Sequence, residues 1–434
     1  MAGRWTSLRA RCSGGMKLPR PRPTRASPPT ISASSRIACG GWDIWTTEVC
    51  SMTLRILAIA PTAFYNDYGC HVRIRGQLLG LQARGHVVRL ATYPAGRDVA
   101  GLDIRRAPWV GVRELAVGSS RIKLLLDATL GPAALTQALR FRPHIIHAYL
   151  HEGALIGWAL ARWLGAPLTF DYQGSLTAEM IAHHFLHPRS PWRGPLERLE
   201  HWLDRRPRAI LASTEHARAA LTAHGVPPAR IHLLPDAVNP DAFHPQPPDP
   251  TLQARLGLDP AVPTLVYLGL LAPYQGVDLL LQALDRVTRP WQALIMGFPH
   301  EDRYRALARA LGIGPRVRFT GAIPYGEAPR YLALGDLALA PKLATSEGSG
   351  KLLPYMSMAL PIVATDTLAH RQYLGTWGLY AATEPDALAR TLADALARLD
   401  HLQPVGEALR ARVLTRYTWD HTARQMERIF RAVL

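Results

Sequence analysis

Short apolar runs alternate with stretches of helical spacing from residue 54 onward. In the first half of the chain the apolar runs are LRILAIA, VVRLAT, HIIHAY, PLTFD and AILAS. The stretches between them predict helices after Cys70 and near residues 121–140, 152–164, 175–186 and 194–206. Nearly continuous apolar strands separated by helices are typical of a parallel sheet covered on both faces. The pattern therefore predicts a doubly wound α/β domain over residues 52–235.

This alternation stops at PDAVNPDAFHPQPPDP, residues 235–250, and then resumes. A segment rich in Pro, Asp and His is typical of a connection between domains, so residues 236–260 are predicted to be a linker. The apolar runs PTLVYLG, WQALIMG, RVRFTG, DLALAP and PIVATD follow, again with helical stretches between them. They predict a second Rossmann-like domain over residues 261–412. Two such domains facing each other form a cleft at the carboxyl ends of both sheets, where ligands bind.

The two ends of the chain differ from these domains. Residues 413–434 contain YTWDHTARQMERIF, which predicts an amphipathic C-terminal helix. The pattern is compatible with a helix that crosses back to the first domain, but it does not require one. The apolar side chains on one face of this helix are Trp419, Ala423, Met426 and Phe430. Residues 1–51 have no period of 2 or 3.6 and are rich in Arg, Ser and Pro, so we expect a disordered extension. Because Met52 directly precedes the first predicted strand, we hypothesise that it is the initiator and that the extension is a misassigned start.

Composition and charge narrow the class of protein. With 434 residues, 48% of them hydrophobic and 19% charged, the chain has material for large cores. Four cysteines are too few for a disulfide scaffold and favour a reducing compartment, so we expect a cytoplasmic location. The formal charge of +17 is concentrated in the first domain: residues 52–235 hold 22 basic and 12 acidic side chains, whereas residues 236–434 hold 20 and 19.

The positive field of the first domain favours anionic partners, among them a membrane surface. No uninterrupted apolar stretch of about 20 residues occurs, so the sequence predicts no membrane span, and a membrane association would be peripheral. Nucleic acid is not expected as a partner, because no recognition motif accompanies the charge.

The segment from Ser346 to Met356, SEGSGKLLPYM, carries the clearest candidate chemistry. A Gly-rich turn that opens a helix presents free backbone N–H groups and the positive end of the helix dipole, both suited to a diphosphate. Lys351 adds a positive charge there, and Lys342 is a candidate second cation. The alternative is an ordinary loop-to-helix junction whose glycines serve packing, and the loop by itself does not decide between the two.

Several segments together resemble one known family. They are Gly69-Cys70-His71-Val72, then LQARGHVV at 81–88, DAVNPDAF at 236–243 and GAIPYGEAPRYLALGDLALAP in the second domain. In order and spacing they resemble the family 4 glycosyltransferases of the GT-B fold, from Met52 to the C-terminus. The resemblance implies two Rossmann-like domains facing across a cleft. It also implies transfer of a sugar from a nucleotide-diphosphate sugar to a glycan or lipid-linked acceptor, with retention and without a metal.

The resemblance also assigns candidate roles to individual residues. The positions expected around the donor's diphosphate are Gly69, Lys342, Gly348, Ser349, Gly350, Lys351, Tyr274 and Gln275. Glu347 is assigned to the hydroxyls of the donor sugar, and Gln173 takes the place of a histidine that contacts the sugar in the family. No metal ligand is assigned and no tightly bound cofactor is expected, because the nucleotide sugar is a substrate.

Departures from the family leave three interpretations open. Leu270 and Gln275 replace an Arg and a Lys that neutralise the pyrophosphate, and Pro354 and Ser346 stand where paired glutamates are usual. A branch of polysaccharide-type enzymes shares the Tyr-Gln-Gly turn and lacks the second glutamate, so the losses are consistent with an active lineage. The alternatives are a non-catalytic subunit of the same fold and a sugar-nucleotide epimerase.

Overall fold

The computed structural model describes residues 52–66, 68–109, 111, 121–182, 185–343 and 348–434. The predicted extension over residues 1–51 and the candidate residue Glu347 therefore lie outside the described residues.

Parallel strands of the first half of the chain form one sheet. They are β1 Arg55–Ala60, β2 Val87–Thr92, β3 Asp103–Arg106, β4 Ile145–Tyr149, β5 Leu168–Tyr172, β6 Ala209–Ala212 and β7 Ile231–Leu233. Their order is β3-β2-β1-β4-β5-β6-β7. The strand order thus reverses between β1 and β4, which is where ligand crevices open in sheets of this kind.

A second parallel sheet follows the same plan. Its strands are β8 Thr264–Leu268, β9 Gln292–Met296, β10 Val317–Gly321, β11 Leu337–Ala340, β12 Ile362–Thr365 and β13 Leu379–Ala381. Their order is β10-β9-β8-β11-β12-β13, with the reversal between β8 and β11.

Helices connect these strands and cover the sheets. In the first half they are α1 Gly69–Ala83, α2 Arg121–Phe141, α3 Leu150–Leu164, α4 Leu176–Ala182, α5 Arg193–Asp204 and α6 Glu215–Ala223. In the second half they are α7 Pro250–Arg255, α8 Val277–Asp285, α9 Glu301–Ala310, α10 Ala328–Leu332, α11 Leu352–Ser357, α12 Leu368–Leu374, α13 Pro385–Ala397, α14 Gln403–Arg416 and α15 Trp419–Val433. Within the described residues, no helix has both the length and the apolar character needed to cross a membrane.

The side chains of β1 explain why the sheet is covered on both faces. Leu57 and Ile59 belong to one buried cluster, which includes residues of α2 and α3. Ile56 and Ala58 belong to another, which includes residues of α1 and α15. Because successive side chains of a strand point to opposite faces, a strand buried on both sides must be apolar throughout. The predicted fold class, two Rossmann-like doubly wound domains, is confirmed.

Helix α15 packs against α1 of the first sheet. Gly76 of α1 faces the Trp419 ring so closely that a Cβ there would lie 2.1 Å from Cε2 of the indole. Ala423, Met426 and Phe430 follow on the same face of α15 and are fully buried, as the sequence pattern predicts. The chain therefore returns to its first sheet at its C-terminal end.

The sequence pattern misses three of the four edge strands, β3, β7 and β13, and five helices. Strand β3 has the sequence DIRR, and none of its residues is fully buried. Strand β7 has three residues, of which only Ile231 is buried. An edge strand has one strand neighbour and less cover, so it needs no continuous apolar run, which is the signal that predicts the central strands. The helices absent from the prediction are α6, α7, α12, α13 and α14.

Candidate functional site

Two loops meet at the carboxyl end of the second sheet, where the neighbouring strands β8 and β11 end. Gly276, in the loop after β8, has φ +74°, and a Cβ on it would lie 1.9 Å from the carbonyl oxygen of Pro341. Only glycine tolerates both the positive φ and the close contact with the Pro341 carbonyl group. The N–H of Leu343 donates to the carbonyl oxygen of Tyr274 at 2.9 Å. The predicted residues Tyr274 and Gln275 are thereby fixed against the loop that leads to the Gly-rich turn.

Lys351 points back into this junction. Its Nζ donates to Oε1 of Gln275 at 2.7 Å and to the hydroxyl of Tyr267 at 3.0 Å, and it lies 4.3 Å from the centroid of the Tyr267 ring. A Cβ on Gly269 would lie 3.0 Å from this Nζ, so the ammonium occupies the space that the glycine leaves. Desolvation holds the pKa of the Lys351 amine well below its ordinary value, and Lys342 acts in the same direction. An anion bound beside Lys351 would offset both the desolvation of the amine and the repulsion from Lys342.

The Gly-rich turn is braced from within the domain. Lys342 is 3% exposed, and its Nζ donates to the carbonyl oxygen of Gly348 at 2.8 Å. Ser349 is also buried, and α11 follows directly after Lys351. Because α11 is only six residues long, its dipole contributes less than the sequence interpretation assumes. Residues 344–347, which include the candidate Glu347, lie outside the described part of the loop.

A buried histidine that the sequence interpretation missed holds Ser349. Nδ1 of His370 lies 2.6 Å from the carbonyl oxygen of Thr365 and must carry the proton, because a carbonyl only accepts. Nε2 therefore accepts from the Ser349 hydroxyl at 3.1 Å. Burial lowers the pKa of His370 to about 4, with Lys351 and Lys342 acting in the same direction. The imidazole consequently stays neutral at physiological pH and fixes the Ser349 side chain.

The first domain contributes Gly69 and Gln173 to the facing edge. Gly69 is the exposed first residue of α1, and a Cβ on it would meet no described atom within 4 Å. The neighbouring Tyr68 ring lies 6.0 Å from the ring of Phe298, which follows β9, so the start of α1 faces the second domain. Gln173 follows β5 and interacts with the Cys70 thiol, while its Nε2 is buried without a partner among the described residues. The two predicted residues thus belong to one corner of the cleft.

Arg73 forms the buried centre of that corner. Its guanidinium donates to both carboxylate oxygens of Asp171, with Nη2 to Oδ2 at 2.8 Å. Nη1 donates to Oδ1 of Asp236 at 3.0 Å, and Nη2 also reaches the carbonyl oxygen of Leu234. Gln77 adds a hydrogen bond of 2.7 Å to Asp171. Arg73 therefore joins α1, β5 and the start of the interdomain segment, and the sequence pattern gives no signal for this set.

Asp236 carries this network to the Gly-rich turn. A Cβ on Gly348 or on Gly350 would lie 3.2 Å from Oδ2 of Asp236, so the carboxylate lies directly against the turn. The backbone N–H of Asp236 donates to the hydroxyl of Tyr373 in α12 at 3.2 Å. Asp236 stands where the resembled family carries an asparagine. A negative charge therefore lies beside the segment predicted to bind a diphosphate.

The geometry brings most of the predicted residues into two groups. Tyr274, Gln275, Lys342, Gly348, Ser349, Gly350 and Lys351 lie in the two loops after β8 and β11. Gly69 and Gln173 lie at the carboxyl edge of the first sheet. Their assignment to a diphosphate and a sugar stays a prediction.

Comparison with known proteins agrees with this architecture. A model described as "Glycosyl transferase 4-like domain" matches residues 68–237, and one described as "Glycosyl transferases group 1" matches residues 262–398. Similar solved structures include sucrose-phosphate synthase from Thermosynechococcus elongatus, with a TM-score of 0.73 and 19% identity, covering 87% of this chain and 98% of that one. Another is Anabaena HepE in complex with UDP-glucose, with a TM-score of 0.69 and 15% identity, covering 87% and 100%.

Curated relatives belong to the same class. A GDP-mannose-dependent alpha-(1-6)-phosphatidylinositol monomannoside mannosyltransferase from Mycobacterium tuberculosis is 28% identical over 232 residues. That match spans 49% of this chain and 59% of the relative, so the chain spans little more than half the length of this relative. D-inositol 3-phosphate glycosyltransferase from Segniliparus rotundus is 24% identical, over 97% of this chain and 96% of the relative.

The fold is that of a two-domain α/β protein of the GT-B type. The first half of the chain thus matches a glycosyl transferase 4-like domain, and the second half matches a glycosyl transferases group 1 domain.

Proposed function

We propose that the protein transfers a hexosyl unit from a nucleotide-diphosphate sugar to a glycan or lipid-linked acceptor. The observation that carries this proposal is the Lys351 ammonium, held by Gln275 beside the Gly-rich turn at the carboxyl edge of the second sheet. A desolvated cation next to the backbone N–H groups of a Gly-rich turn suits a diphosphate. The names of two similar proteins, one GDP-mannose-dependent and one solved with UDP-glucose, support the same class of donor.

The chemistry is a substitution at C1 of the donor sugar. The bond from C1 to the phosphate oxygen breaks, and the acceptor hydroxyl oxygen bonds to C1 on the same face, so the configuration is retained. The acceptor proton passes to the departing phosphate oxygen, and no side chain acts as a base. Lys351 and the N–H groups of residues 348–350 stabilise the charge on the leaving diphosphate, which is the main task of catalysis here and requires no metal.

The sugar of the donor would lie between the two domains. Gln173 supports this placement, because its buried Nε2 has no partner among the described residues and could donate to a sugar hydroxyl. Glu347 is proposed for further sugar hydroxyls on the strength of its place in the sequence. The Tyr172-Gln173-Gly174 turn also supports assignment to the branch of the family that lacks the second glutamate.

Nucleotide binding by the full chain tests the proposal. Thermal unfolding is measured with UDP, GDP, ADP and dTDP, for the wild type and Lys351→Ala. A ligand at about 100 times its dissociation constant stabilises the fold by roughly 2.7 kcal/mol. We expect one nucleotide to raise the Tm of the wild type and the variant to lose that shift. The sugar nucleotides of that base are then tested for transfer to acceptors.

Asp236 favours a second candidate, a non-catalytic subunit of the same fold. Its carboxylate lies against Gly348 and Gly350, and Leu270 and Gln275 stand where the family carries cations. The absence of a Tm shift with all four nucleotides would favour this candidate. Interconversion of the donor sugar without any acceptor would instead indicate an epimerase.

A lipid-linked acceptor would place the protein at the cytoplasmic face of a membrane. The basic first domain exposes large apolar side chains on α2, at the end of α3 and before α5. They include Leu124, Trp163 and Trp192, which are 71%, 62% and 68% exposed. Basic surface with exposed tryptophans suits an anionic lipid interface. We expect flotation with vesicles containing phosphatidylglycerol and little with phosphatidylcholine alone. Trp163→Ser should reduce flotation, whereas Leu414→Ser, at an exposed site of α14, should not.

A further inference from the structure

Three buried ligand atoms converge in the first domain, between α3 and α5. His151 lies in the first turn of α3, and Glu200 and Asp204 are spaced i,i+4 on one face of α5. Nε2 of His151 is 3.2 Å from Oδ1 of Asp204 and 3.8 Å from Oε1 of Glu200. The three atoms all lie within 4.8 Å of one another, and the residues are 4%, 3% and 0% exposed.

One of these atoms lacks a hydrogen-bond partner in the described part of the chain. Oε2 of Glu200 accepts from the N–H of Thr177 at 3.1 Å, but Oε1 is buried and has no hydrogen-bond partner among the described residues. A buried carboxylate oxygen without a partner is costly, and such atoms are rare in native proteins. Oε1 is also the atom that faces the His151 imidazole.

We propose that His151, Glu200 and Asp204 bind a divalent first-row transition-metal ion of the Zn²⁺ type. A neutral imidazole and two carboxylates neutralise such an ion completely. Ligands about 2.0–2.2 Å from zinc in a tetrahedral arrangement lie roughly 3.3–3.6 Å apart, and the observed 3.2 and 3.8 Å bracket this spacing.

His224 supplies the outer partner that metal-binding carboxylates usually have. Its Nδ1 lies 2.9 Å from Oδ2 of Asp204, the oxygen that does not face His151. A hydrogen bond at this position orients the carboxylate so that Oδ1 points to the ion. Metal-ligand spacing in the sequence cannot reveal the site, because His151 lies about fifty residues before the other two ligands.

The ion would act on structure rather than on the sugar transfer. Glu200 holds Thr177 at the start of α4, and the His151 ring lies 5.4 Å from the ring of Tyr172, at the end of β5. The segment between these two contacts contains Gln173, the residue proposed to contact the donor sugar. The bound metal would therefore fix α5 and α3 around this turn.

Metal titration of the EDTA-treated, dialysed full chain tests the site. Zn²⁺ binding is followed by equilibrium dialysis with elemental analysis, and by the Tm. The variant is Glu200→Gln, which keeps the shape of the side chain. Its control is Glu197→Gln, one turn earlier on α5 and paired at the surface with Arg193. We expect the wild type to bind one Zn²⁺ per chain with high affinity and to show a raised Tm. The Zn²⁺ affinity should fall by about 100-fold or more in Glu200→Gln and stay unchanged in the control, since even the loss of an outer-shell partner costs 10–100-fold.

Co²⁺ gives a second measurement that does not depend on a variant's folding. We expect visible d–d absorption bands of a four- or five-coordinate site when Co²⁺ is added to the metal-free wild type, and their disappearance on addition of Zn²⁺. Equal Zn²⁺ affinity in the wild type and folded Glu200→Gln would place the ion elsewhere and overturn the proposal. So would the failure of the wild type to bind Zn²⁺, Mn²⁺ or Co²⁺ stoichiometrically, which would leave a buried charge network with a protonated His151.

Discussion

Lys351 Nζ donates a hydrogen bond of 2.7 Å to the side-chain carbonyl of Gln275, across the junction of the two loops that follow β8 and β11. Gln275 stands where the resembled family carries a lysine, so one cation of the usual pair has become the acceptor that orients the other. The site thus concentrates its positive charge for a ligand in a single side chain, which is partly buried and poorly solvated. Ligand binding should depend strongly on that side chain.

Lys351→Met should weaken nucleoside diphosphate binding by about 10- to 100-fold, since hydrogen bonds to charged groups contribute about 1.5–3 kcal/mol. Because desolvation lowers the pKa of this amine, an anion that raises the pKa again should bind with proton uptake at a pH between the two pKa values. Titration calorimetry in buffers of different ionisation enthalpy measures both quantities. The variant should lose the proton uptake as well as the affinity. An unchanged affinity would remove Lys351 from the diphosphate site.

Asp236→Asn should tighten nucleoside diphosphate binding by about 3- to 10-fold, because it removes a like charge from the edge of the Gly-rich turn. The carboxylate lies against Gly348 and Gly350, whereas an asparagine would keep the shape and a hydrogen bond to Arg73. The matched control is Asp241→Asn, on an exposed part of the same segment, which should leave affinity unchanged. Weaker binding in the first variant would mean that Asp236 holds the turn in its binding conformation.

The sequence allowed the fold to be predicted where burial imposes a local pattern. Central strands such as β1 and β8 are apolar after their first residue because both faces are covered, and the face of α15 was evident from its helical spacing. Edge strands such as β3 escaped prediction, since one open side permits polar residues.

The candidate site, like the fold, could be predicted only where a short segment carries the signal. Lys351 and Gly348 were singled out by the chemistry of a Gly-rich turn that opens a helix, and Gln275 by its place relative to the resembled family. Arg73, Asp171 and Asp236 were missed because their contacts join positions 98 and 163 residues apart, for which one sequence gives no signal. His370 was missed for a related reason: a lone histidine in a short helix has no distinguishing spacing until Ser349 is placed beside it.

Arg73→Met should lower the free energy of unfolding by about 3–5 kcal/mol, because it leaves the buried Asp171 carboxylate without its cation. Side-chain exposure is 2% for Arg73 and 0% for Asp171, so water cannot replace the lost partner. Urea unfolding of the full chain measures the change. Arg193→Met, which breaks the exposed pair with Glu197, should cost less than about 1 kcal/mol. Similar losses in both variants would contradict a central structural role for Arg73.

His370 should make the protein less stable as the pH falls from about 6.5 to about 4. The pKa of its imidazole is about 4 in the folded protein, against an ordinary value of 6.5, because burial disfavours the charged form. Between these two pH values the unfolded chain binds the proton and the folded protein does not. The stabilising contribution of the neutral imidazole is therefore fully present above pH 6.5 and is lost as the pH falls toward 4. From pH about 7 to about 4.5 this one group should account for roughly 2 kcal/mol.

His370→Gln isolates that contribution, since glutamine can still accept from the Ser349 hydroxyl but does not titrate. His147, whose pKa burial also lowers to about 4, is present in both proteins, so its effect cancels in the comparison. Urea unfolding at several pH values should therefore show a flatter profile for the variant than for the wild type. His216→Gln, on the exposed surface of α6, should reproduce the wild-type slope. Parallel profiles for wild type and His370→Gln would mean that His370 takes up its proton at the same pH in the folded and the unfolded protein, and would contradict a lowered pKa for this imidazole.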